Sequence, residues 1–306
     1  MARDFLSVDD LTTGELASLL DQSAKVKAQP GDYADRLAGR SVAMIFEKPS
    51  TRTRVSFEIA IASAGGHPVA LAASELQLGR GETIEDTGRV LSRYVDAIVL
   101  RTFEQERLEL LASAASVPVI NALSDFEHPC QCLADLLTVA ESKGELAGRT
   151  LAYLGDGNNV THSLLLGGAK VGMQVRVCTP PGFEPIPQVV QRASEIAATT
   201  GGSVTVTHDP LEASADADVL YTDVWASMGQ EQEADERALV LSAYVLDGDK
   251  IAAAAPDVIA MHCLPAHRGQ EITDEVIDGP HSVVWDQAEN RMHTQKALLL
   301  WLLGVT

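Results

Sequence analysis

The feature that most constrains this chain is an alternation. Short apolar runs of strand length recur along it, each followed by a turn and then by apolar residues at helical spacing. Runs at 41–46, 68–73, 97–100 and 117–120 form one series, and runs at 150–154, 174–178, 203–207, 218–222, 258–262 and 282–285 form a second. Thr12 and Glu15 have capping-box spacing and open an N-terminal helix in which Leu16, Leu19, Leu20 and Ala24 recur until Pro30. Helical segments around 84–94 and 104–115 separate strands of the first series. Strands that alternate with helices pair in parallel through crossovers, so the pattern predicts parallel sheets covered on both faces.

At 306 residues the chain exceeds one ordinary core. The expectation is an α/β protein with two doubly wound parallel-sheet domains, at 1–126 and 148–286. Two interdomain helices join them, one about 127–143 and a C-terminal one at 287–306 that packs back. In such folds ligands sit beyond the carboxyl ends of the strands, and the cleft between the domains is the expected ligand site.

Composition excludes several classes. A formal charge of -20 repels nucleic acids and anionic membranes. No run of apolar residues is long enough to span a bilayer, and the first residues carry Arg3 and Asp4 without an apolar signal segment, so a cytoplasmic protein is predicted. Cys130, Cys132, Cys178 and Cys263 form no CxxC pair, which predicts reduced thiols with neither a disulfide frame nor a structural zinc.

The residues that follow the strands are unusually polar. Ser50, Thr51, Arg52, Thr53 and Arg54 stand where a helix begins, and hydroxyls, guanidinium groups and helix-start amides there make a seat for a phosphate. The same segment also reads as a hydroxyl cap with two solvated arginines. The acidic background favours the anion seat. Arg101 ends a strand, His128-Pro129-Cys130-Gln131 opens a helix, Cys263, Leu264 and Pro265 follow a strand, and Arg291 opens the last helix. There is no P-loop and no pair of metal ligands, which predicts a small phosphorylated donor, no metal and no cofactor. Gly155 and Gly157 imitate the start of a dinucleotide fingerprint. Val160 occupies the third glycine position, and Cys178 and Thr179 end the next strand without an acidic ribose ligand, so nicotinamide binding is rejected.

Through Ser50-Thr51-Arg52-Thr53, Arg101, His128-Pro129-Cys130-Gln131 and His262-Cys263-Leu264-Pro265, in this order and spacing, nearly the whole chain resembles the aspartate/ornithine carbamoyltransferase superfamily. The resemblance implies carbamoyl phosphate as donor. It places Ser50, Thr51, Arg52 and Thr53 on the phosphate, and Arg101, His128 and Thr53 on the carbonyl oxygen. Gln131 and the carbonyls of Cys263 and Leu264 would accept from the carbamoyl NH2, and Pro129, Cys130 and Arg291 would complete the donor site. It further implies a homotrimer in which Gln77, within a loop at 77–82, completes a neighbour's site.

The acceptor is set by the segment after the run at 218–222, where Asp223 leads to Ser227, Met228 and Gly229, resembling the Ser-Met-Gly loop of the superfamily's ornithine-using members. An acidic Asp223 suits an ammonium-bearing acceptor. By resemblance Asn159 takes the acceptor's carboxylate, with Asn158 as the alternative. The expected reaction is transfer of the carbamoyl group to the side-chain amine of L-ornithine. Arg52, Arg101, His128, Asp223 and Cys263 are its catalytic residues, with Asp223 and Cys263 as proton partners and no acyl-thiol. Another amine, putrescine or an N-acylated ornithine, remains the alternative acceptor, and a non-catalytic binding protein is a further rival.

Overall fold

The computed structural model describes residues 3–72, 81–225 and 234–306. The chain forms two compact units, one of residues 1–133 with 291–306 and one of residues 134–290.

Unit 1 begins with α1 (Thr13–Ala28), whose capping box between Thr12 and Glu15 is made as the spacing predicts. It continues β1 (Ser41–Phe46), α2 (Thr51–Ala62), β2 (His67–Ala72), α3 (Ile84–Leu91), β3 (Ala97–Arg101), α4 (Gln105–Ala114), β4 (Val119–Leu123) and the start of α5 (Pro129–Lys143). The strands form a parallel sheet in the order β2-β1-β3-β4. The central strands β1 and β3 are buried on both faces and are apolar apart from Ser41 and Arg101 at their ends, whereas edge strand β2 is half-exposed. Ile45, Ile98, Leu100, Leu108 and Leu111 pack into one cluster. Each such side chain contributes about 1.5–3 kcal/mol when fully buried.

Unit 2 runs from β5 (Thr150–Leu154) through α6 (Asn159–Lys170), β6 (Gln174–Cys178), α7 (Pro187–Thr200), β7 (Ser203–Thr207) and α8 (Pro210–Ser214) to β8 (Val219–Thr222). It continues with α9 (Ala234–Leu241), α10 (Gly248–Ala253), β9 (Ile259–His262), α11 (Asp274–Ile277) and the start of α12 (Val284–Leu302). Its sheet is also parallel, in the order β7-β6-β5-β8-β9. The unit boundaries fall inside α5 and α12.

Two doubly wound parallel sheets therefore form as the alternation predicts. Each has one switch point, between β1 and β3 and between β5 and β8, where the chain leaves in opposite directions and loops splay apart. Two strand expectations need correction. The run at 282–285 is not a strand: Ser282 makes an isolated bridge to Ala260, and the Gln287 N–H to Val283 carbonyl bond already belongs to the opening of α12. The run at 117–120 is displaced to Val119–Leu123 because Pro118 has no N–H to give the ladder, although its carbonyl accepts from Ile98.

Candidate functional site

In unit 1 the polar residues gather at the β1/β3 switch point. Ser50 is the N-cap of α2, and its hydroxyl accepts from the Thr53 amide at 3.3 Å and lies 3.0 Å from Thr53 Oγ1. The amides of Thr51 and Arg52 lie in the first helical turn, where no preceding carbonyl reaches them and the helix dipole favours an anion. Thr53 is buried, whereas Thr51 and Arg52 are exposed. Arg101, directly opposite Phe46 in the ladder, is almost fully buried.

Pro129 is the first residue of α5, where its missing N–H costs nothing. The preceding turn is fixed by Ser124, whose hydroxyl accepts from the Glu127 amide at 3.1 Å, while the fully buried Glu127 carboxylate accepts from Ser7 Oγ at 2.5 Å and Val8 N at 3.1 Å. His128 is thereby presented from a rigid turn. Burial, followed by the charges of Arg291, Arg101 and Arg52 in that order, holds its imidazole well below the usual histidine range. A neutral ring has one N–H to donate. All three guanidinium charges thus disfavour a further positive charge on this imidazole.

Arg291, also buried, donates from Nη1 to Gln131 Oε1 at 2.6 Å and from Nη2 to Thr53 Oγ1 at 3.4 Å. Gln131 therefore spends its oxygen on holding Arg291. Cys130 does not share this cluster through its side chain: the thiol is fully buried, donates to the Asn121 carbonyl at 3.3 Å, and is pushed up to about 12 by burial, with Arg291 opposing. Arg54 turns to Glu58 on the exposed face of α2. Lys48 was not singled out by sequence; it pairs with Asp125 and lies 4.2 Å over the Phe103 ring, tying together the loops after β1, β3 and β4.

In unit 2 the β5/β8 switch point holds a second cluster. Asn158 caps α6 by accepting from the amides of Val160 and Thr161 at 2.9 and 3.2 Å, and its Nδ2 donates to Asp223 Oδ2 at 2.9 Å. Asn159, the first helical residue, is partly exposed. The other carboxylate oxygen of the buried Asp223 accepts from the Cys263 thiol at 2.8 Å. Beyond Cys263 the chain turns through Leu264, with φ 60° and a cis bond to Pro265. His262 holds that turn: its Nδ1 accepts from the Leu264 amide at 2.8 Å, which leaves Nε2–H for Glu271 at 3.2 Å. The His262 amide donates to Gln287, whose Nε2 reaches Asp135 at 2.7 Å and the Tyr221 hydroxyl at 3.0 Å.

Asp223, His262 and Cys263 bring potential metal-ligand atoms within 4.8 Å of one another. Both ring nitrogens of His262 are already committed, so the trio fits a proton-handling pair on a fixed support better than a three-ligand metal centre. All four cysteines are free thiols. The glycines that imitate a dinucleotide motif have other causes: Gly155 has φ 141°, and Gly157 lies so close to Phe183 and Pro185 that no side chain fits. Sequence also missed Asp156 and Arg237, which form an ion pair in this cluster. Gln77, Ser227 and Met228 lie outside the described residues.

Buried arginines near a helix start in one doubly wound unit and a carboxylate–thiol pair in the other are equipment suited to a group-transfer enzyme. Residues 3–141 match the carbamoyl-P binding domain of aspartate/ornithine carbamoyltransferase, and residues 147–302 match the Asp/Orn binding domain. The chain belongs to the aspartate/ornithine carbamoyltransferase family. It is 64% identical to an ornithine carbamoyltransferase of Parafrankia sp., covering 100% of this chain and 97% of that protein. It is 55% identical to one of Pyrococcus abyssi, covering 99% and 96%. Among solved structures, the ornithine carbamoyltransferase from Pyrococcus furiosus is similar with a TM-score of 0.96 at 54% identity, covering 99% and 97% of the two chains.

Proposed function

We infer that the chain transfers the carbamoyl group of carbamoyl phosphate to the side-chain amine of L-ornithine, giving L-citrulline and phosphate. The observation that carries this reading is the pair of buried arginines Arg101 and Arg291, the latter bonded to Gln131 and Thr53, in the same unit as the helix start capped by Ser50. Such a site takes a small dianion. The unit 1 residues hold the donor phosphate through the Thr51 and Arg52 amides, hydroxyls and charge, while Arg101, His128 and Thr53 donate to the carbonyl oxygen as it becomes an oxyanion.

Unit 2 supplies the acceptor side. Asp223 suits an ammonium-bearing substrate, and Asn159, whose neighbour Asn158 caps α6 and donates to Asp223, takes the carboxylate. Ser227 and Met228 are assigned to the same substrate, and Gln77 to the donor, from the resemblance alone. An amine resembling lysine has a pKa of about 10.4 and must lose a proton before it attacks. Its nitrogen lone pair then forms the C–N bond, the C–O bond to phosphate breaks with its electrons going to phosphate, and the amine's proton passes to the Asp223–Cys263 pair. Arg291, held by Gln131, neutralises the leaving phosphate.

The relative from Pyrococcus furiosus is named an anabolic ornithine carbamoyltransferase, and the biosynthetic direction is proposed here too. A cytoplasmic homotrimer completes the reading. No helix of the described residues is long and apolar enough to cross a membrane. Offering carbamoyl phosphate with L-ornithine, putrescine and N-acetylornithine, and scoring ureido product, tests the acceptor. Ornithine alone should react well; preference for either other amine would overturn the assignment.

A further inference from the structure

Glu271 is fully buried, and so is the imidazole of His262 beside it. A carboxylate enclosed in this way is destabilising unless hydrogen-bond donors meet it. Two donors do: the His267 amide reaches Oε1 at 2.5 Å, and His262 Nε2 lies 3.2 Å from the same oxygen. The backbone of Glu271 is anchored as well, since its carbonyl accepts from the Leu246 amide at 2.8 Å and the next residue, Ile272, lies in the unit 2 core. No step of the proposed reaction uses this carboxylate.

The other side of the imidazole settles which nitrogen holds the proton. A backbone N–H can only donate, so the Leu264 amide, 2.8 Å from Nδ1, requires a lone pair there. The ring is then neutral, with its one proton on Nε2 and aimed at Glu271. Leu264 has φ 60°, a left-handed conformation that a leucine keeps only where its surroundings hold it. The bond from its amide to His262 is such a hold, and the residue before it is Cys263, whose thiol meets Asp223.

We propose that Glu271 is a positioning residue for the transfer reaction: it anchors His262 through Nε2–H, so that Nδ1 stays aimed at the Leu264 amide and sets the turn that carries the Cys263 thiol and the Cys263 and Leu264 carbonyls. A buried carboxylate is a general means of fixing the tautomer and orientation of a histidine. The inference rests on the reading that the groups on this turn face the reactants.

The test compares two variants of the full-length enzyme by steady-state kinetics and by hydrogen exchange of the Leu264 amide. Glu271→Gln keeps the arrangement, because the His267 amide requires an oxygen at the Oε1 position and the same oxygen accepts from His262; kcat should stay within about threefold of wild type. Glu271→Met offers no acceptor. Its Leu264 amide should exchange about tenfold faster or more, and kcat should fall by about tenfold or more, since a displacement of about 1 Å at reacting groups is enough for such a loss. Both KM values should change by less than about threefold, as the loss falls on the reacting groups. A carboxylate that only stabilises the fold predicts a lower melting temperature with kcat unchanged.

A Glu271→Met enzyme with wild-type kcat, a loss of kcat without faster Leu264 exchange, or a Glu271→Gln enzyme as slow as the Met variant overturns the proposal. Should Glu271→Met fail to fold, neutron diffraction from wild-type crystals decides: a proton on His262 Nε2 supports the proposal, and one on Nδ1 overturns it. Failure of the wild-type enzyme to make a ureido product from ornithine would instead reject the function on which the inference rests, and the exchange and diffraction results would stand apart from it.

Discussion

The Cys263 thiol donates a hydrogen bond to Oδ1 of Asp223 at 2.8 Å, joining the ends of adjacent strands β8 and β9. The donor arrives already activated as a mixed anhydride, so this thiol has no need to carry the carbamoyl group. Cys263→Ser keeps a donor for Asp223 and should retain at least about one-tenth of kcat, whereas Asp223→Asn removes the proton acceptor and should lose about a hundredfold or more. Rapid-quench kinetics and intact-protein mass spectrometry check this. A trapped carbamoyl-enzyme that disappears in Cys263→Ser would show that the thiol is a nucleophile.

Arg291 spans Gln131 and Thr53 with two different nitrogens. A lysine has one point charge and cannot make this fork. Arg291→Lys should therefore raise the carbamoyl phosphate KM markedly while leaving that of ornithine near wild type. Arg291→Met should in addition lose on the order of 1–3 kcal/mol of stability, because the buried, charge-assisted hydrogen bond to Gln131 is removed. Steady-state kinetics and urea denaturation separate the two effects.

His128 makes a pH prediction. Its folded-state pKa lies well below the ordinary value because burial and three guanidinium charges oppose protonation. Below about pH 6.5 the unfolded chain takes up a proton that the folded chain refuses. The stability contribution is thus complete above that pH and declines as pH falls toward the folded-state value. His128→Gln, which cannot titrate, should flatten the acid side of the stability profile from pH 7.5 to 5. Equal pH slopes for the two proteins would show that His128 takes up its proton as readily in the folded chain as in the unfolded one.

Much of this architecture is legible from local pattern. The runs at 41–46, 150–154, 174–178 and 203–207 coincide with β1, β5, β6 and β7, because short apolar segments between turns have no better fate than a sheet. Ser282 shows the limit: the valines at 283 and 284 predict a strand, yet the run meets β9 for one residue before α12 begins, since a helix able to start at Val284 satisfies more backbone groups. Cys130 shows another limit. It shares a sequence motif with His128 and Gln131, but on a helix one residue is a turn of about 100°, which sends its thiol to Asn121 while Gln131 faces Arg291.

The Asp156–Arg237 pair had no local signal at all. The two residues are separated by 81 positions, so only the folded chain brings them together.

Gly157 supplies a prediction about the frame that carries the acceptor residues. Its amide donates to the Phe183 carbonyl at 2.8 Å, and a Cβ there would fall 2.5 Å from that oxygen and 2.3 Å from Pro185 N. Both obstacles are backbone, so neither can rotate away. Gly157→Ala must push the 183–185 segment off the β5–α6 turn, which holds Asn158 as the cap of α6 and as the donor to Asp223. Overpacking of this kind costs about 1–3 kcal/mol. The variant should melt at a lower temperature and show a raised ornithine KM, while its carbamoyl phosphate KM changes less because the residues assigned to the donor's phosphate belong to unit 1. Calorimetry and initial-rate kinetics test this. An unchanged melting temperature would mean that the close approach of the two backbone segments does not exist in solution.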